Sequence, residues 1–256
     1  MASTNSTVIA PLPTSWWARA VFVGGLVALV LMVTGALGTR FGVWSFVPGL
    51  LMLLGALVLA ALGALAGVVA LIIARRAQRR ADRATAMIGT VLCGAVLGIV
   101  LSYALPGTKV PPIHDITTDI ADPPAFSQEL VAARGAKSNP LARSGKLDEI
   151  QRAGYPKLHA LASPLSPAEA YQLALTVMRD LQWDIVTTRP DEGRLEATAT
   201  TRWFGFKDDV VVRIRPAGNG AAGTLIDLRS VSRVGQGDAG ANAKRIELFM
   251  ARFKAH

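Results

Sequence analysis

The sequence predicts a membrane α-helical anchor plus an α+β domain, the latter an antiparallel sheet of four to five strands with two helices packed on one face. Three observations predict it. First, only 18% of the 256 residues are charged, against roughly 25% in an average soluble domain, and the shortfall is lopsided. Residues 1–105 hold seven Arg and one acid, Asp82, while residues 106–256 hold the other 20 Lys/Arg and 17 Asp/Glu, so the net +9 divides as +6 and +3. Second, the first half contains three long charge-free runs. Third, the second half alternates polar and apolar residues between two stretches of helical periodicity. A single soluble globule and a disordered first half are both excluded.

Charge-free runs longer than about 18 residues read as spanning helices. They lie between Arg19 and Arg40, between Arg40 and Arg75, and between Arg83 and Lys109. The middle run would be about 51 Å long as one helix, too long for a hydrocarbon core of ~30 Å. Pro48, tolerated in a first turn, offers a start. The expected spans are thus about 20–39, 48–74 and 85–105 within a membrane region 1–108. Trp16, Trp17, Trp44 and Tyr103 fall near span ends, where interfacial aromatics collect.

Five arginines crowd the loop Arg75-Arg76-Ala77-Gln78-Arg79-Arg80-Ala81-Asp82-Arg83. Short basic loops stay cytoplasmic. That orientation puts the amino terminus in the cytoplasm and the carboxy-terminal domain outside the plasma (inner) membrane of a bacterium. An Asn5-Ser6-Thr7 sequon would then be idle. No ionisable side chain lies inside a span, which suits an anchor better than a conduit. Gly63-x-x-x-Gly67 and Gly94-x-x-x-Gly98, the latter extended by Ser102, let backbones approach closely. They serve either packing within one three-helix bundle or a homo-oligomer interface. The single cysteine, Cys93, excludes an internal disulfide.

Lys109-Val110-Pro111-Pro112 ends the third span. Residues 109–157, rich in Pro and Gly, read as an extended segment and linker. The compact domain is expected over 158–256. Leu158 to Ala162 reads as a short strand. Ser166-Pro167-Ala168-Glu169 is a capping box with Pro at the first helical position, followed by an apolar stripe of Ala170, Leu173, Val177 and Leu181. Strands follow at 183–188, 194–201, 210–215 and 226–229, joined by the turns Arg189–Gly193 and Pro216–Gly223. Asp238 caps a last helix that turns Ala239, Ala243, Ile246, Phe249 and Phe253 inward. The order (β)-α-β-β-β-β-α gives an antiparallel meander with its helices on the apolar face.

Several stretches carry a resemblance. They are Ile113-His114-Asp115-Ile116-Thr117-Thr118-Asp119 with Pro123-Pro124-Ala125-Phe126, Tyr155-Pro156, Thr201-Arg202-Trp203-Phe204-Gly205-Phe206-Lys207-Asp208-Asp209-Val210, and Ser232-Arg233-Val234-Gly235 with Asp238, Gly240, Asn242, Ala243, Arg245 and Ile246. Over residues 110–254 the chain resembles the bacterial domain-of-unknown-function family numbered 1499. The resemblance implies a domain and no activity, cofactor or substrate. Many relatives carry a Cys-containing motif where this chain has Ile113 to Thr118, so no thiol chemistry carries over.

Each candidate site has a functional and a structural reading. His114, Asp115, Asp119 and Asp122 are the densest potential ligand group, but their spacing matches no metal site. Asp208-Asp209 are strand neighbours, so they point to opposite faces and cannot share a proton. Trp203, Phe204 and Phe206, flanked by Arg202 and Lys207, crowd one hairpin tip. They either form a binding edge for a partner or the membrane interface, or fold back to complete the core. Arg194, Arg213, Arg215, Arg229 and Arg233 share the outward sheet face with Glu196 and Asp227. That face reads as an anionic-ligand surface or as a solvated, cross-strand-paired one. No Walker loop, dinucleotide-binding glycine motif, His-Glu-x-x-His or Gly-x-Ser-x-Gly occurs.

The expected function is an integral inner-membrane protein with an exported, non-catalytic binding domain, without cofactor or metal. Membrane lipid, an envelope protein or polysaccharide, or a second copy of the chain are its expected partners; nucleic acid is not. An accessory or assembly subunit acting through its spans, and an envelope hydrolase, are the alternatives.

Overall fold

The computed structural model describes residues 13–218 and 223–256. The sequon at Asn5 and the tip of the turn between Pro216 and Gly223 lie outside the described residues. The chain divides into two compact units, residues 1–102 and 103–256.

Three helices account for the first part of the chain: α1 (Trp16–Arg40), α2 (Phe46–Arg76) and α3 (Arg80–Gly107). All three are long and apolar enough to cross a membrane, with mean hydropathies of 2.5, 2.8 and 2.2. Each outruns its expected span because the flanking residues, including the arginines, continue the helical backbone. Leu, Val and Ile side chains point mostly outward, whereas the buried residues of α2 are Gly49, Ala56, Ala60, Gly67, Ala70 and Ala74. Small side chains inside and bulky ones outside is the pattern for helices that pack in an apolar solvent, where close contact and not hydrophobic burial drives association.

The glycines show where that contact is tightest. A Cβ on Gly63 would sit 2.6 Å from Cys93 Sγ, and one on Gly67 2.1 Å from Thr90 Oγ1. Both therefore pack within the bundle, against α3. Gly94 and Gly98 are different: a Cβ there would meet nothing within 4 Å. Two further close approaches escaped the sequence pattern. A Cβ on Gly25 would lie 2.8 Å from the Gly89 carbonyl oxygen, and one on Gly35 would lie 2.8 Å from that of Gly49. These pairs belong to different helices, so no spacing within one helix reveals them.

Asp82, the one acid of the first unit, is buried at the start of α3. It accepts hydrogen bonds from the Ser15 N–H (2.7 Å) and hydroxyl (2.6 Å) and pairs with Arg79 at 2.8 Å. Ser15 precedes the first turn of α1, so the carboxylate pins the start of one helix to the start of another.

The second unit is built on a six-stranded antiparallel sheet: β1 (Asp115–Thr117), β2 (Leu161–Ser163), β3 (Asp184–Arg189), β4 (Arg194–Thr200), β5 (Lys207–Pro216) and β6 (Thr224–Ser232). The order is β1-β6-β5-β4-β3, with β2 pairing to β6 beyond the end of β1. Helices α6 (Pro167–Asp180) and α7 (Ala241–Ala255) pack on one face. Leu195, Ala197, Val210, Val212, Ile214, Ile226 and Leu228 face them, with Trp183 stacked on Phe249 at 5.8 Å at the centre.

The capping box forms as expected, with Ser166 and Glu169 bonded reciprocally and Pro167 opening α6. The buried stripe of α6 is Ala170, Tyr171, Ala174, Val177 and Met178, one residue round from the expected one; Leu173 and Leu181 sit at its margin. In α7 the polar Asn242 is buried, and Ala239 stands before the helix in a left-handed conformation (φ 52°). The helix starts later than expected because Asp238 reaches forward, accepting from the Gly240 and Asn242 N–H groups at 2.8 and 2.7 Å.

The segment expected to be a linker is part of this fold. It carries β1 and two further helices, α4 (Gln128–Arg134) and α5 (Gly145–Gly154). Ile113 and Ile116 are in the main core, with Leu147 and Ile150 packed against it. Few large apolar residues is a fair sign of a linker only when no polar surface exists for the segment to bind, and here one does.

Candidate binding surface

The second face of the sheet, opposite α6 and α7, is made by Arg194, Glu196 and Thr198 of β4, Asp209, Val211, Arg213 and Arg215 of β5, and Asp227, Arg229 and Val231 of β6. Strand alternation sets this list. The sequence leaves open whether the face is solvated. The structure covers most of it, and the strap from Ile113 to Arg143 is the cover.

Arg229 shows how. Its guanidinium is bidentate to Asp115 of β1 (3.1 and 2.8 Å), donates to the Leu141 carbonyl at 2.5 Å and the Pro124 carbonyl at 3.4 Å, and lies 5.4 Å from the centre of the Phe126 ring. One side chain thus ties four points of the strap to the sheet. Asp209 is bound by Arg134 of α4 at 2.6 Å, by Arg233 at 2.9 and 2.8 Å, and by the Thr198 hydroxyl at 2.8 Å. Burial draws the Arg134 guanidinium below arginine's ordinary value, Asp209 opposes this, and nearby Arg233 reinforces it. Arg213 and Arg215 converge on Asp227, Asp119 and, for Arg213, Asp122. Asp227 holds Arg215 above arginine's ordinary value through a 2.8 Å hydrogen bond.

Glu196 is wholly buried and has a different partner. Its two carboxylate oxygens accept from the N–H and hydroxyl of Ser127, at 2.6 and 2.5 Å, and that hydroxyl in turn accepts from the Leu130 N–H to start α4. A bulge at Val186, where the β3–β4 register shifts, brings Thr187 opposite Glu196. At the sheet edge, Gln151 of α5 accepts from the Thr117 N–H and donates to the Thr117 carbonyl at 3.2 and 2.5 Å. Its amide takes the place of a further strand, which an open edge would otherwise invite.

The arginines of the expected anionic-ligand surface thus have partners within the domain. Arg229 and Arg233 are spent on Asp115 and Asp209, and Arg213 and Arg215 on a three-carboxylate cluster. A buried or half-buried guanidinium with a bidentate partner has little charge left to offer an incoming anion. Asp115, Asp119 and Asp122, grouped in the sequence as potential metal ligands, each face an arginine. Among the described residues, no cluster of His, Cys, Asp and Glu could hold a metal ion. Asp208 and Asp209 do point to opposite faces, Asp208 pairing with Arg245 of α7 at 2.6 Å.

The hairpin tip remains. Residues 201–206 form a tight loop between β4 and β5, closed by the Thr201 N–H to the Phe206 carbonyl and the Phe206 N–H to the Thr201 hydroxyl, both at 2.8 Å. Gly205 takes φ +67°, a conformation a β-carbon disfavours. Phe204 and Phe206 stack at 5.3 Å with planes 11° apart, and Trp203 is 44% exposed. None of the three rings joins the core. The Trp203 indole N–H donates to the Tyr103 hydroxyl at 2.9 Å, and the two rings meet edge to face. Arg202 and Lys207 flank the tip and are exposed.

The family model described as "Protein of unknown function (DUF1499)" matches residues 115–253. The chain belongs to this family. The match runs from Asp115, the partner of Arg229, to Phe253 in the core of α7. The DUF1499 domain therefore includes the strap, in keeping with the ion pairs that hold it. No curated protein matches the chain.

Proposed function

We propose that this protein is a membrane-anchored, non-catalytic binding protein whose DUF1499 domain works at the lipid–water interface outside the cytoplasm. The aromatic tip at residues 202–207 is the recognition element. The supporting observation is that Trp203 is 44% exposed and that the rings of Trp203 and Phe204 are not part of the domain's main apolar cluster. Ring faces between two cations suit an interface of apolar chains and anionic headgroups. With its arginines internally paired, the sheet face supports polysaccharide or anion binding less well. The enclosed, paired carboxylates likewise support the non-catalytic reading over a hydrolase, which would hold reactive groups ready in a cleft.

A nitroxide at Phe204→Cys, in a Cys93→Ser background and in nanodiscs, tests this. Relaxation by lipid-dissolved oxygen is expected; relaxation by aqueous nickel chelate alone rules out interfacial insertion. A reporter fused after His256 should be active only outside the cytoplasm, and cytoplasmic activity overturns the orientation.

One observation favours a second reading, association through the spans with an envelope protein or another copy of the chain. Gly94 and Gly98 are open to an approaching helix, whereas Gly63 and Gly67 are filled from within. Gly94→Leu with Gly98→Leu should then release the partner on purification while leaving the monomer folded.

A further inference from the structure

The first unit contains a crevice of about 460 Å³ between α1 and α2. That is within the range of pockets that enclose a small ligand, about 300–1,000 Å³. Its lining includes small residues, among them Ala20 and Gly24 of α1 and Gly63 and Ala66 of α2. On α2 the lining extends from Leu59 to Ile73, about 21 Å at 1.5 Å per residue. Half of a ~30 Å hydrocarbon core is about 15 Å, so the crevice is long enough for one whole acyl chain.

Its chemistry changes at one end. Trp16, 80% exposed, and Trp17 line the mouth where α1 begins, and tryptophan rings belong at headgroup depth. Arg19, Arg75, Arg76, Arg80 and Arg83 are exposed at this same end of the helices. The only acid of the unit, Asp82, is already held by Arg79 and Ser15. Four of these cations, Arg75, Arg76, Arg80 and Arg83, thus stand without a paired carboxylate among the described residues of their own unit, beside the open end of an acyl-sized slot. We infer that the crevice binds an anionic phospholipid, with one acyl chain between α1 and α2 and its phosphate among these arginines. This rests on the reading of α1–α3 as membrane spans. Basic pockets between spanning helices recognise anionic headgroups in this way, and each basic residue near the surface contributes about a fivefold preference.

A Cβ on Gly24 would meet nothing within 4 Å, so Gly24→Leu fills the slot without disturbing the bundle. Full-length protein would be purified from nanodiscs of phosphatidylcholine and phosphatidylglycerol at 3:1, and the retained lipid identified by mass spectrometry. Wild type is expected to retain phosphatidylglycerol over phosphatidylcholine well beyond their 1:3 supply. Gly24→Leu should lose the retained lipid. Arg75→Gln with Arg76→Gln, which leaves three arginines in the loop, should keep a lipid but lower the preference about 25-fold, at about fivefold per arginine. Retention in the 1:3 supply ratio by wild type, or unchanged retention by Gly24→Leu, overturns the proposal. So does crosslinking of Gly24→Cys to a second chain, which would put a helix in the slot. Extraction of the protein by alkaline carbonate would instead overturn the membrane reading itself, and is scored separately.

Discussion

The two faces of the DUF1499 sheet are held by opposite chemistries. Toward α6 and α7, Leu195, Val212, Leu228 and their neighbours meet Phe249, Ile246 and Val177 in an apolar core, beside a small polar group of Ser230, Asn242, Arg245 and Asp208. Toward the strap, Asp209, Asp227, Glu196 and Arg229 are as deeply buried, but each is held by directed hydrogen bonds. The apolar face tolerates any side chain of suitable shape, because dispersion and water exclusion have no preferred direction. The charged face accepts one strap in one register, because a displaced partner leaves an ion buried alone. Equal burial then need not mean equal stabilisation: the first face is expected to contribute net stability, and the second mainly specificity.

The largest effects should come from breaking one partner on the charged face. Asp209→Ala strands Arg134 and Arg233 and is expected to cost about 3–5 kcal/mol, read by chemical denaturation of the detergent-solubilised protein. Phe249→Ala, the matched lesion on the apolar face, should cost about the same, 3–5 kcal/mol. The faces then separate on repair. Asp115→Leu with Arg229→Met should recover part of the loss of either single variant, because it removes both charges while Arg143, which also pairs with Asp115 at 2.8 Å, keeps Asp148. A double variant as unstable as the sum of the singles would break the comparison.

Glu196→Gln is expected to cost about 1–3 kcal/mol, since an amide leaves the Ser127 N–H or hydroxyl without its acceptor. Susceptibility of the strap to protease should rise with it, while the apolar face is unaffected.

The smallest effects lie at the two helix starts and differ in sign with pH. Glu169 is held below its ordinary 4.5 by hydrogen bonds from the Ser166 side chain and N–H. Its contribution to α6 is present above 4.5 and is lost as pH falls through the lowered value. Asp238, at the start of α7, is raised above its ordinary 3.8 by burial, which outweighs the hydrogen bonds from Asn242 and Gly240. Its protonated form suits the fold better, so its contribution is fully present below 3.8 and declines as pH rises through the raised value. Denaturation profiles of Glu169→Gln and Asp238→Asn against pH should differ from wild type with opposite slopes.

Much of this was open to reading from residues alone. The three apolar helices, the capping box at Ser166, the four long strands and the inward Phe249 and Phe253 all follow from patterns that repeat within one element, and the family was visible in motifs from Ile113 to Ile246. The strap was not. Pro123, Pro124, Gly135 and Pro140 are the marks of a linker, and the purpose of Asp115, Arg134 and Gln151 appears only opposite Arg229, Asp209 and Thr117. The basic face suffered the same way: five arginines in alternation look like a surface until Asp115, Asp119 and Asp122, which answer three of them from 91 to 114 residues away, are folded onto it.

The sequence by itself determined which segments are helix, strand and candidate span, because hydrophobic period, caps and charge-free length are local properties. Tertiary structure alone decided which charges are spent and which are free. It separated Gly63 and Gly67, closed against α3, from Gly94 and Gly98, left open, although their spacing is identical. It also enclosed Arg229 of the sheet and left Arg75, Arg76, Arg80 and Arg83 of the first unit exposed. The reason is physical: the worth of a charge or of a missing side chain depends on what lies within a few ångströms of it, and that neighbour is chosen by the fold.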